Sequence, residues 1–155
     1  MKQFIKNKKD QKISVLTEIS DNQKGLAPIS TVVSGKLSAE TPKYREIIKK
    51  WERTGWYVTE STSEPGLTKR LKWSHMVDRL NYDLLPKVNK LTMPVLLIVG
   101  DKDNGTPPEH QKILFDKLPG KKEMHIIKNA PHTFIEESHL KEIKNIFSKW
   151  INSLD

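Results

Sequence analysis

The chain has 155 residues, 35% of them hydrophobic and 30% charged, with a formal net charge of +8 and no cysteine. That length fits one domain with a real core, and the composition fits a soluble globular protein. The missing cysteines exclude disulfides, thiolate metal sites and cysteine nucleophiles. The positive charge is dispersed, and its one dense patch is Lys6, Lys8, Lys9 and Lys12. Such a pattern predicts solvated faces and no nucleic-acid partner.

The N-terminal stretch is basic but lacks the apolar segment and cleavage site of a secretory signal, so the expected address is the cytoplasm. No run approaches the roughly eighteen apolar residues of a spanning helix, so no membrane span is expected. Within this stretch "KISVLTEIS" reads equally as a short helix or a strand. "KGLAPIST", Lys24 to Thr31, predicts a brief strand broken by Pro28.

Thr41 and Pro42 give a helix start, and Tyr44, Ile47, Ile48 and Trp51 recur at helical spacing before Gly55. A helix from about Pro42 to Arg53 is predicted. "GWYVTESTSEPGLTKRLKW" alternates around Pro65-Gly66, the pair a type II turn favours, and predicts a hairpin or extended arm. From Trp73 the pattern is helical, with Met76 and Leu80 four apart, until Pro86 interrupts it. Trp51, Trp56 and Trp73 read as lid or core packing residues, with an acyl or aromatic substrate pocket as the alternative.

The later pattern is cleaner. "PVLLIVG" is apolar on both faces, as in a parallel strand covered by helices on both sides. Thr106-Pro107-Pro108-Glu109 combines a capping box with first-turn prolines, predicting a helix to about Leu118 in which this run has a structural role only. Gly120 ends that helix and "EMHIIK" follows as a strand. Leu140, Ile143, Phe147, Trp150 and Leu154 make one apolar stripe on a final helix. Strand, helix, strand and helix with short connections predict a right-handed parallel βαβ unit.

In an open parallel sheet, catalytic groups gather beyond the carboxyl ends of the strands. Asp101 and Asp103 follow the first of these strands and His132 follows the second. If the strands are neighbours, Asp103 and His132 emerge from adjacent loops and can share a hydrogen bond. A carboxylate on one imidazole nitrogen fixes the tautomer and leaves the other nitrogen to accept a proton from a nucleophile. His110, His125 and His139 have no second histidine or carboxylate at ligand spacing, so neither a metal nor a cofactor is expected.

The segment "MPVLLIVGDKDNGTPPEHQKILFDKLPGKKEMHIIKNAPHTF" resembles the C-terminal part of the α/β-hydrolase fold, whose late strands carry P-V-L-x-x-x-G-x-x-D and then A/G-x-H. It is similar in flavour to the lysophospholipase-like, dienelactone-hydrolase-like and serine-aminopeptidase-like serine hydrolases, from about Asp78 to Ile151. The resemblance puts the triad acid at Asp103 and the base at His132, and leaves Asp101 a turn residue. It implies an α/β fold: the C-terminal half of a hydrolase sheet, about three mainly parallel strands with flanking helices, plus a lid-like helix and hairpin insertion. Residues 1–35 would be the early strand region, 36–86 the lid or cap, and 87–155 the βαβα unit, all in one partial domain.

The family's nucleophile sits in a G-x-S-x-G elbow upstream of the acid. No such motif occurs in the 155 residues, and Ser14 and Ser34 lack its context. The expectation is therefore a C-terminal portion of a carboxylesterase-, lipase- or peptidase-like enzyme, carrying acid and base but inactive alone. A small-molecule ester or amide would be its substrate when complemented by a homodimer partner or a partner chain bearing the nucleophile half. The alternative is a non-catalytic interaction or small-molecule-binding module of the same fold.

Overall fold

A computed structural model describes residues 2–6, 12–16, 25–61 and 64–154. Strands β1 (Lys2–Lys6) and β2 (Lys12–Leu16) form an antiparallel hairpin. The ambiguous "KISVLTEIS" thus begins as a strand, and its last four residues lie outside the described ones.

Three short helices follow: α1 (Gly35–Ala39), α2 (Pro42–Arg45) and α3 (Ile48–Thr54). The single helix predicted from Pro42 to Arg53 is therefore two helices with a break at Glu46 and Ile47. Gly55 caps α3 with φ of 74°, a left-handed conformation that glycine adopts without steric cost. Strands β3 (Trp56–Glu60) and β4 (Thr68–Lys72) make the hairpin arm, and Gly66 at φ 84° takes its turn as Pro-Gly predicts.

Helix α4 (Trp73–Leu80) ends before a 3-10 turn, Leu85–Lys90, that carries Pro86 near its start. Trp51 is buried and donates its indole N–H to the Leu71 carbonyl at 3.0 Å. It also packs against Tyr57 at 5.4 Å and Trp73 at 5.8 Å between ring centroids. Trp56 is partly exposed under the Arg70 guanidinium.

The parallel unit is β5 (Val95–Gly100), α5 (Pro108–Lys117), β6 (Lys122–Ile127) and α6 (Glu137–Asn152). β5 and β6 pair in parallel, Val95 opposite Lys122 through Gly100 opposite Ile127. On the other edge of β5, Leu26 and Ile29 bridge in parallel to Val95 and Ile98. The Leu26 N–H reaches the Pro94 carbonyl at 2.9 Å, and the Ser30 N–H reaches Ile98 at 2.8 Å. Midway, Pro28 has no N–H to give, so "KGLAPIST" pairs through isolated bridges and not a continuous ladder. The sheet order is Gly25–Ser30, β5, β6.

All six residues of β5 are buried. Val95 and Leu97 pack with Val33, Val88, Leu114 and Leu118 under α5 and the 3-10 turn; Leu96 and Ile98 pack with Ile127, Ala130, Ile143 and Trp150 under α6. A buried Leu or Ile side chain contributes about 1.5–3 kcal/mol, so the doubly covered strand anchors the loops that leave it. On α6 the expected stripe needs one correction: Leu140 is exposed, and His139 takes the buried place in the first turn. His139, Ile143, Phe147 and Trp150 share a helical face, whereas Leu140 lies about 100° round from His139.

Candidate active site

Both sequence-predicted site residues leave the carboxyl edge of the sheet, and backbone contacts hold their loops together. The Asp101 N–H reaches the Ile127 carbonyl at 3.0 Å and the Lys102 N–H reaches Ala130 at 3.0 Å. A methyl group on Gly100 would overlap the Ala130 carbonyl, so only glycine lets the two loops approach this closely. Asn129 turns the second loop at φ 59°, a conformation asparagine tolerates better than most residues.

Asp103 comes off the end of β5 with a fully buried side chain. Its Oδ1 accepts the Gly105 N–H at 2.9 Å and the Thr106 N–H at 2.8 Å. Its Oδ2 accepts the Thr106 hydroxyl at 2.8 Å and pairs with His132 Nδ1 at 2.8 Å. Asp101, by contrast, is an exposed turn residue.

Burial alone would raise the Asp103 pKa, but this is outweighed by the Thr106 N–H, His132, the Thr106 hydroxyl and Ser30, and the carboxyl is held below 3.8. Ser30 acts there through proximity, since its buried Oγ has no hydrogen-bond partner of good geometry. An ionised Asp103 accepts only, so His132 Nδ1 carries the proton of the shared bond and Nε2 is left as an acceptor. His132 itself is half-exposed, on the rim of the pair.

Thr106 corrects the sequence reading. Its hydroxyl does not cap α5, whose N-cap is Pro107 with no side-chain bond. The hydroxyl instead bonds Asp103, lies 3.1 Å from the Ser30 carbonyl and 3.3 Å from His132 Nδ1, and so ties three segments together. Gln111 extends the tie, donating to the Thr31 carbonyl at 2.7 Å. Ser30 itself has φ of 46°, an unusual value for a residue other than glycine, at the end of its strand segment. No serine among the described residues is hydrogen-bonded to His132.

The other histidines stand apart from the pair. Burial holds His110 below its ordinary pKa against the opposing charges of Glu109 and Glu40. His125 lies 3.6 Å from Glu123. His139 is buried edge-on to Phe134, with Nδ1 unpartnered.

A family model described as PhoPQ-activated pathogenicity-related protein matches residues 53–155, a span that contains both members of the pair. The chain belongs to this family. Solved structures with the same fold include alpha/beta hydrolase domain-containing protein 10 from mouse, at TM-score 0.64 and 21% identity over 84% of this chain and 53% of that one. The monoacylglycerol lipase of Paleococcus ferrophilus superposes at TM-score 0.62 and 20% identity, covering 85% and 60%. Est1E from Butyrivibrio proteoclasticus gives 0.53 and 19%, covering 84% and 51%. This member of the PhoPQ-related family therefore has an α/β-hydrolase fold and spans about half to three fifths of the length of those structures. No curated protein matches its sequence.

Proposed function

We propose that this chain supplies the acid and base of a serine hydrolase that cleaves an ester or amide. The observation that carries this reading is the 2.8 Å contact between His132 Nδ1 and the buried carboxylate of Asp103. In the complete site a serine hydroxyl attacks the substrate carbonyl and His132 Nε2 takes its proton. Asp103 stabilises the resulting imidazolium, which then protonates the leaving alkoxide or amine.

The serine comes from outside these 155 residues, either from an adjoining segment or from a partner chain, because no G-x-S-x-G occurs within them. Its strands would extend the sheet at the outer edge of Gly25–Ser30, where Leu26 and Ile29 remain substantially exposed. Residues 36–86 would act as the lid. Among the described residues no helix is long and apolar enough to cross a membrane, and the cytoplasm remains the proposed address. A non-catalytic binding module of the same fold is the second reading, favoured by the lack of any serine bonded to His132 among the described residues.

Fluorophosphonate labelling tests the proposal. The purified chain alone should label at no serine. Co-folded with the G-x-S-x-G-bearing half of a longer hydrolase-fold relative, it should support labelling of that half, and His132→Ala should abolish it. Labelling of this chain alone contradicts an external nucleophile. A folded complex that never labels contradicts the catalytic role and leaves the binding module.

A further inference from the structure

The lid-like region brings two cations onto one aromatic ring, and the stem of one of them passes near the acid–base pair. Lys43 Nζ lies 5.5 Å and Arg79 Cζ 5.1 Å from the centroid of Tyr44, and an Arg79 Nη donates to the Tyr44 hydroxyl at 3.0 Å. A ring face attracts a cation but does not neutralise it, so both charges remain open to an anion. Neither cation has a carboxylate within ion-pair distance among the described residues. Asp78 is near Arg79 in the cavity lining, yet the two form no ion pair. Arg79 Nε is buried with no acceptor, so the guanidinium is only partly satisfied by its bond to the Tyr44 hydroxyl.

The cluster also sits in the right place. A methyl group placed on Gly105 would lie 3.9 Å from Lys43 Cδ and 3.9 Å from His132 Nδ1, so the lysine stem passes beside the pair. Arg79 borders a cavity of about 390 Å³ whose wall includes Val32, two residues beyond the Ser30 carbonyl that contacts Thr106. That volume suits a small ligand.

We propose that Lys43 and Arg79 form a subsite for an oxyanion, a carboxylate or phosphate carried by the substrate away from its scissile bond. This rests on the hydrolase reading and narrows it to anionic esters or amides. The planar guanidinium fork matches either group, with Lys43 adding a point charge nearer His132.

Calorimetric titration of the purified chain separates the cases. Monoethyl succinate should bind about tenfold or more tightly than neutral diethyl succinate, with the advantage shrinking as salt is added. Inorganic phosphate run in parallel reports the phosphate alternative, and saturable binding of either anion supports the subsite. Lys43→Gln, at an exposed position that leaves the fold intact, should lose most of the discrimination, as should Arg79→Gln. Tyr44→Phe, which keeps the ring, should retain it.

Equal affinity for the mono- and diester together with no saturable phosphate binding, or anion binding that survives both glutamine variants, overturns the subsite. Because the readout is binding, charge discrimination that persists while fluorophosphonate labelling fails overturns only the catalytic reading. Labelling that succeeds without charge discrimination overturns only the subsite.

Discussion

Replacing Asp103 with alanine separates a buried acid on which the loops depend from an ordinary turn residue. The Asp103 side chain has 0% exposure and takes part in hydrogen bonds of 2.8–2.9 Å with Gly105 N, Thr106 N, Thr106 Oγ1 and His132 Nδ1. Alanine strands the buried N–H groups of Gly105 and Thr106, and each such loss is worth about 1–3 kcal/mol, which makes about 2–6 kcal/mol together. An asparagine side chain would keep one oxygen for those two donors but exchange charge-assisted bonds for neutral ones, at about 1 kcal/mol each, so Asp103→Asn should lose about 2–3 kcal/mol.

His132→Ala removes a half-exposed side chain and should lose less than about 1 kcal/mol. Urea unfolding followed by circular dichroism reads all three as midpoint shifts at constant slope. An Asp103→Ala variant within about 0.5 kcal/mol of the parent, or one milder than His132→Ala, would show that the loops do not depend on this acid.

The acid limb of stability should carry the same signature. Because the native Asp103 carboxyl titrates below 3.8, the unfolded chain binds this proton first as pH falls. Its contribution is complete above that value and is lost as pH drops through the lower native pKa, and urea midpoints against pH should show Asp103→Asn flattening that limb. Thr106→Val keeps the backbone donor but removes the hydroxyl that bonds Asp103, and should lose about 1–2 kcal/mol by thermal or urea unfolding, with Thr106→Ser close to the parent. Gly100→Ala should lose about 3 kcal/mol or more because the new methyl meets the Ala130 backbone, whereas at Gly105 the nearest atom is 3.6 Å away and alanine should change stability by less than about 1 kcal/mol.

The parts of this fold with one dominant physical signal were legible in the sequence. β5 is continuously apolar because both faces are covered, and the rule that groups gather at strand ends led from it to Asp103 and His132. Other features were hidden where one residue type serves two purposes. Thr106 reads as a capping residue because Thr-x-x-Glu is a helix-start pattern, yet its hydroxyl is taken by Asp103 and the helix starts at a proline instead. Leu140 and His139 are neighbours, and a spacing of threes and fours does not choose between their faces until the sheet does. The meeting of Lys43, Tyr44 and Arg79 is a tertiary contact between α2 and α4, and no local periodicity encodes it. Gly100 is the glycine of the P-V-L-x-x-x-G-x-x-D pattern, but the pattern does not say why glycine is required, and only the approach of the Ala130 backbone does.

Asp103 holds His132 with a proton on Nδ1 and a bare Nε2 ready to accept one. Long-range proton–nitrogen NMR of the imidazole reads this directly in the purified chain at about pH 9, where histidine is ordinarily neutral. His132 should be a single Nδ1–H tautomer that gives way to Nε2–H or a mixture in Asp103→Asn. A parent chain already in the Nε2–H form, or a tautomer indifferent to that substitution, would contradict it.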